Sequence, residues 1–138
     1  MRKVTIAATG LLLGLAGCGS SSQPAAGPAG SPAAEELPTL PPGAPADFAI
    51  CMQCHSPVRG HNRIGPSLFG VVGRKAGSVP GFDYSNALRN SGIVWTPERL
   101  DKWLSGPMDF VPGTRMSFGG FADPAKRQAV IAYLKTLK

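Results

Sequence analysis

The sequence has 138 residues, with 14 Lys and Arg against 8 Asp and Glu, 18 Gly, 14 Pro and 3 Cys. That length holds one modest domain. Three cysteines exclude a dense disulfide framework, and no apolar run is long enough for a mature membrane span. All ten aromatic residues lie beyond position 47. Core material therefore starts at about residue 46, and the segment 46–138 is small enough that apolar burial alone is marginal without a staple, metal or cofactor.

In chain order, Arg2 and Lys3 precede an apolar stretch from Val4 to Ala16 that ends in Leu15-Ala16-Gly17-Cys18. A short basic region, an apolar region of about a dozen residues and small residues before the cut read as a secretory signal over 1–17. The cysteine after Leu-Ala-Gly resembles the lipobox of bacterial lipoproteins. The resemblance implies that Cys18 is lipidated and becomes the mature N-terminus, attached to the membrane by more than one acyl chain. From Gly19 to Pro45 the chain is almost entirely Ser, Pro, Ala and Gly, with Glu35 and Glu36 as the only charges. Such a composition cannot offset ordering entropy, so 18–45 is expected to be a disordered linker. Its reach is roughly 30 Å for a flexible chain of that length.

The first predicted helix runs from about Ala46 to Cys54 and carries Cys51-Met52-Gln53-Cys54-His55. Two cysteines three apart put both sulfurs on one side of a helical turn, where they can add across the two vinyl groups of haem. The adjacent histidine then supplies an iron ligand. A zinc half-site would need a second ligand pair, and no other cysteine exists in 46–138. A thioredoxin-like pair would need a surrounding βαβ pattern, which this Gly- and Pro-punctuated sequence lacks.

Gly- and Pro-rich loops such as 70–81 follow, too irregular to form a sheet. A short helix is expected over about Ser85–Asn90. Thr96 as cap and Pro97 at the first helical position open another helix, with Leu100, Trp103 and Leu104 at i, i+3, i+4, stopping at Gly106-Pro107. The last helix starts at Asp123-Pro124 and presents Val130, Ile131, Leu134 and Leu137 on one face. For a second axial ligand, Met52 is trapped inside the attachment loop and His61 is confined near His55, leaving Met108 and Met116. The Pro112-Gly113-Thr114-Arg115 turn before Met116 favours a loop that holds a sulfur in place, whereas Met108 is expected to pack or lie on the surface.

Several stretches then occur together: Cys51-Met52-Gln53-Cys54-His55, Gly65-Pro66-Ser67-Leu68, Gly73-Arg74-Lys75, Pro80-Gly81-Phe82-Asp83-Tyr84-Ser85, Gly92-Ile93-Val94-Trp95, Pro112-Gly113-Thr114-Arg115-Met116 and Ile131-Ala132-Tyr133-Leu134-Lys135. In order and spacing, Cys51 to Lys138 resembles the class I c-type cytochromes, close to mitochondrial cytochrome c and its small bacterial relatives. The resemblance implies an all-α fold, a single domain over 46–138 with three to four helices and long loops wrapped around one covalent haem c. It implies that Pro66 offers its carbonyl to His55, and that Arg74, Tyr84, Ser85, Trp95 and Thr114 hydrogen-bond the haem propionates. Phe118 matches the aromatic residue beside the exposed haem edge. Buried carboxylates do need such charge-assisted or multiple donors. Three positions depart from the mitochondrial pattern: Leu88 stands for a polar Asn, Trp103 for a Tyr, and Asp47 for an aromatic residue that here falls one place later, at Phe48. A short first helix with a shifted packing register is the expected result.

His/Met ligation leaves no open iron site, and a soft thioether favours Fe(II). The expected function is a membrane-tethered one-electron carrier, not an enzyme, working between a quinol-oxidising cytochrome bc-type complex and a terminal oxidase, reductase or reaction centre; those partners come from the resemblance. A haem peroxidase or gas-binding sensor would need a labile distal position, and a fixed electron-entry module of a larger oxidase is a further alternative. No nucleic-acid partner and a monomeric state are expected, with the protein exported and facing the periplasm or cell exterior. Shuttling relatives carry a lysine-rich rim to steer docking, but here the corresponding stretch holds Met108 and Asp109, with Arg115 as the one retained cation. Without the signal the chain carries +4.

Overall fold

A computed structural model describes residues 39–138; the expected signal, Cys18 and most of the linker lie outside the described residues. Among the described residues there are five helices: α1 (Phe48–Met52), α2 (Asn86–Arg89), α3 (Pro97–Ser105), α4 (Pro107–Phe110) and α5 (Pro124–Leu134). No strand forms among them; the one pairing is an isolated antiparallel bridge, Lys75 to Val94.

The linker was expected to stay unstructured up to Pro45, yet its last residues are folded. Ala44 N–H donates to the Pro41 carbonyl at 3.0 Å, and Ala44 packs against the core. α1 is five residues long. The helical spacing continues past it, because His55 N–H donates to the Cys51 carbonyl at 2.8 Å, keeping both cysteines and the histidine on one turn. Phe48, fully buried, meets Tyr133 of α5 edge-on at 4.7 Å. Asp47, where the resemblance implied an aromatic residue, pairs with Lys126 of α5 at 3.0 Å. The register shift is thus realised by the aromatic stepping inward by one residue while the carboxylate turns to a surface cation.

Each longer helix starts as its sequence dictates. Thr96 accepts from Arg99 N–H and Asp123 from Ala125 N–H, each followed by a proline whose missing N–H costs nothing in the first turn. α3 buries Leu100, Trp103 and Leu104; α5 buries Val130, Ile131, Tyr133 and Leu134, and the two pack together. Two details differ from the periodicity. Pro107 does not end the helical region but opens the one-turn α4, which brings Phe110 to 6.5 Å from Trp103. α5 stops at Leu134, so Leu137 sits in the following turn, where its carbonyl accepts from Gly70 N–H.

Candidate haem site

The core is incomplete as a protein core. A cavity of about 600 Å³ runs between α1, the 64–74 loop, the 82–85 segment, α3 and the 115–120 loop, within the range of cofactor sites. Cys51, Cys54, His55, Pro66, Arg74, Tyr84, Ser85, Trp95, Met116 and Phe118 all lie on its wall. Thr114 does not. It is buried, its hydroxyl accepts the Met116 N–H at 3.3 Å and so shapes the backbone at Met116, and the hydroxyl proton remains to donate.

His55 is held in one tautomer. Its Nδ1 lies 2.7 Å from the Pro66 carbonyl, which can only accept, so Nδ1 carries the proton and Nε2 the lone pair. Burial lowers the His55 pKa, opposed by the bond to Pro66 and aided by the Arg74 charge, which keeps the imidazole neutral and competent as a metal ligand. Gly65 makes this packing possible: a Cβ there would run into the His55 ring. Burial pushes the Cys51 thiol up to about 11. Among the described residues, no three His, Cys, Asp or Glu converge to hold a metal ion.

Opposite in character is the cluster around Arg74. The bridge between Lys75 and Val94 sets Arg74 beside Trp95, whose N–H donates to the Arg74 carbonyl at 2.9 Å. The Arg74 guanidinium donates to the carbonyls of Phe69 and Ser67 at 2.8 and 2.9 Å. Burial lowers its pKa, and no carboxylate among the described residues compensates. Three of its five donors are left for an anion. Ser85 accepts from Leu88 N–H at 3.2 Å as the cap of α2, and its hydroxyl proton remains to donate. Trp95 makes no indole hydrogen bond to the described residues. A half-buried cation without a counter-ion, beside a hydroxyl and an indole donor, fits the carboxylates of a haem.

The remaining methionines and His61 sort as the sequence suggests. Met52 is buried under the attachment turn, Met108 is 53% exposed, and His61 lies on the surface with Nδ1 3.4 Å from the Ser56 hydroxyl. Leu88 and Trp103 are both packing residues. Leu88 is buried, and Trp103 lies between Trp95, tilted to it at 5.2 Å, and Phe110, edge-on at 6.5 Å, with no buried side-chain nitrogen or oxygen left unpartnered among the described residues.

Sequence reasoning missed what fixes the Met116 loop. Ahead of the methionine, Arg115 grips Asp83 through two contacts to the carboxylate, at 3.2 and 3.3 Å, and one to its carbonyl, at 2.9 Å. Behind it, Gly120 adopts φ +88° with its Cα so close to Ser105 that a Cβ would strike the Ser105 carbonyl. Phe121 N–H donates to Leu104 at 2.7 Å, and Arg127 joins Asp101 to the Phe121 and Ala122 carbonyls. The only sequence signal for these contacts was the paired Gly119-Gly120.

Comparison with known proteins agrees with this geometry. No protein-family model matches the chain. Cytochrome c2 of Rhodopila globiformis is 50% identical over 105 residues, covering 72% of this chain and 99% of that protein. Cytochrome c of Euglena viridis is 52% identical over 86 residues, 62% of this chain and 84% of its own. The solved structure of cytochrome cH from Methylobacterium extorquens superposes with a TM-score of 0.63 at 47% identity, covering 65% of this chain and 91% of that one.

The chain belongs to the class I c-type cytochromes. It is an electron-transfer protein, not an enzyme, with one haem c bound covalently through Cys51 and Cys54. The all-α expectation for this cytochrome holds, with α4 as an addition to the three or four helices anticipated.

Proposed function

We infer that this cytochrome is a membrane-tethered one-electron carrier. In this reading residues 1–17 are an export signal, Cys18 bears the lipid, the chain to about residue 40 is the tether, and the folded domain follows. The observation that carries the electron-carrier part is the His55–Pro66 bond on the wall of the cavity that Met116 also lines. His55 and Met116 would together hold the iron of a bound haem, which would leave no place for substrate or oxygen and would favour simple electron exchange over peroxidase or sensor chemistry.

When bound, haem supplies a one-electron Fe(III)/Fe(II) couple. The chain's residues do the rest. His55, its Nδ1 proton held by the Pro66 carbonyl, directs the unprotonated Nε2 as ligand, and the hydrogen bond raises its basicity. Met116 offers a soft, weakly donating sulfur that favours the reduced state. Arg74, Ser85, Trp95 and Tyr84 offer donors to the propionates, and burial at Leu100, Trp103 and Leu104 keeps water from the ring. Phe118, at 4.9 Å from Phe121, closes the side of the cavity next to the Met116 loop. Electrons pass from a quinol-oxidising complex to a terminal oxidase, reductase or reaction centre.

Mass spectrometry of the mature protein tests the anchor: the expected mass begins at Cys18 and includes acyl chains and one haem. A mass beginning at another residue, without lipid, defeats the tether. Ferric spectra with and without cyanide test the ligands. Retention of a methionine-to-iron charge-transfer band is expected, and a Met116→Ala protein should lose it and bind cyanide readily. If Met116→Ala leaves the band intact, another residue is the ligand.

A further inference from the structure

The stretch that carries Met116 has a single polar tie to the rest of the fold. Most of residues 112–119 are exposed or half-buried. Within the stretch and its start the bonds are local: Thr114 N–H donates to the Val111 carbonyl, and Met116 N–H to the Thr114 hydroxyl. Among the described residues, the only hydrogen bonds joining 112–119 to another segment are those of Arg115 with Asp83. Both Arg115 nitrogens meet the same carboxylate oxygen, Oδ2. The other, Oδ1, accepts from Arg89 of α2 at 3.4 Å, and Arg89 also donates to Asn86 Oδ1 at 3.3 Å. One carboxylate thus joins guanidiniums from two segments, each on its own oxygen.

The frame behind this latch is firm. Ser85 caps α2, Leu88 is buried, and Gly77 backs onto α2 so closely that a Cβ on it would stand 2.9 Å from the Arg89 Cα. The latch itself faces solvent, with the Asp83 side chain 76% exposed and that of Arg115 59%. An isolated exposed ion pair contributes little, but a carboxylate shared by two arginines is a small network. What it restrains is local opening of a short segment, which needs far less free energy than unfolding of the domain. We propose that Asp83 is a positioning residue for the axial methionine: with its carboxylate oriented by Arg89, it holds Arg115 and so limits how often the Met116 sulfur swings away from the iron of a bound haem. Opening moves only the span from Arg115 to Phe121, whose N–H stays on the Leu104 carbonyl. This role rests on Met116 as the ligand inferred above, and it names the residue that governs how long the ligand stays.

The test mixes the ferric, full-length, haem-loaded protein with saturating cyanide, where the binding rate reports departure of the methionine and not encounter with cyanide. Asp83→Asn should raise this limiting rate roughly fivefold, the scale of an exposed ion pair held in a network. Arg115→Gln should raise it as much, and the two together no further, because both remove one interaction. The native rate should climb with ionic strength towards that of Asp83→Asn, whose own rate stays flat, since salt screens the same exposed charges. Asp47→Asn loses a different exposed pair, with Lys126, and should leave the limiting rate at its native value. Equal rates in native protein and Asp83→Asn, additive effects of the two substitutions, a native rate indifferent to salt, or equal acceleration by Asp47→Asn overturns the positioning role while Met116 stands as the ligand. A native ferric protein without the methionine-to-iron charge-transfer band overturns the ligand reading and this role with it.

Discussion

Gly65 shows how one missing methyl group can set a metal ligand. Its Cα lies against the His55 ring, and the next residue supplies the carbonyl that holds Nδ1. Gly65→Ala should push the imidazole off the Pro66 carbonyl at a cost of about 1–3 kcal/mol, seen as a lower urea midpoint and a shifted reduction potential. Arg74 has the opposite character, a residue defined by what it still lacks. Arg74→Ala removes the donors to Ser67 and Phe69, so about 1–3 kcal/mol of stability should be lost; the potential should fall as a positive charge leaves the site. Equal potentials in native and variant would mean that Arg74 only braces its loop. The attachment residues were legible because their spacing is itself the chemistry. Gly65 stood in a quoted motif, but nothing in a one-dimensional string says that a ring lies over it. Thr114 stood in a quoted motif, but that its hydroxyl accepts the Met116 amide depends on the fold.

Among the elements, α1 and α5 were readable in place and the contact between them was not. A five-residue helix has little stability of its own; α1 persists through Phe48 and the Asp47–Lys126 pair. Phe48→Ala should cost about 3–5 kcal/mol, whereas Lys126→Ala, at an exposed pair, should cost less than about 1 kcal/mol, both by denaturant unfolding. Burial raises the Tyr133 phenol above its usual range. The unfolded chain therefore ionises first: the contribution of the neutral phenol is whole below about pH 10 and is lost as pH rises through the folded-state value. A urea midpoint followed into alkali should fall more gently in Tyr133→Phe than in the native protein. The one-turn α4 escaped the sequence because a proline after glycine reads equally as a stop and as a first helical position.

For the whole molecule, the sequence's deficit of core material was the most telling early sign, and it appears in the fold as a cavity where a core should be. With Cys51 and Cys54 both changed to Ala, the chain should show no cooperative thermal transition by far-UV circular dichroism, since short helices around an unfilled cavity cannot offset their ordering entropy. The charge balance was legible only as a total. Its distribution was not, because the pairing of Arg115 with a residue 32 positions away depends on the closed fold.

That pairing also bears on speed. The Met116 segment is fastened on one side by Asp83 and on the other by the Phe121 bond to the Leu104 carbonyl, beside the close packing of Gly120 on Ser105, leaving only a few residues between the two rivets. A sulfur on so short a span has little room to relax when the charge beside it changes by one unit. In the terms of electron-transfer kinetics, such a span would keep the inner-sphere reorganisation energy of a bound haem small, leaving distance and driving force to govern the rate.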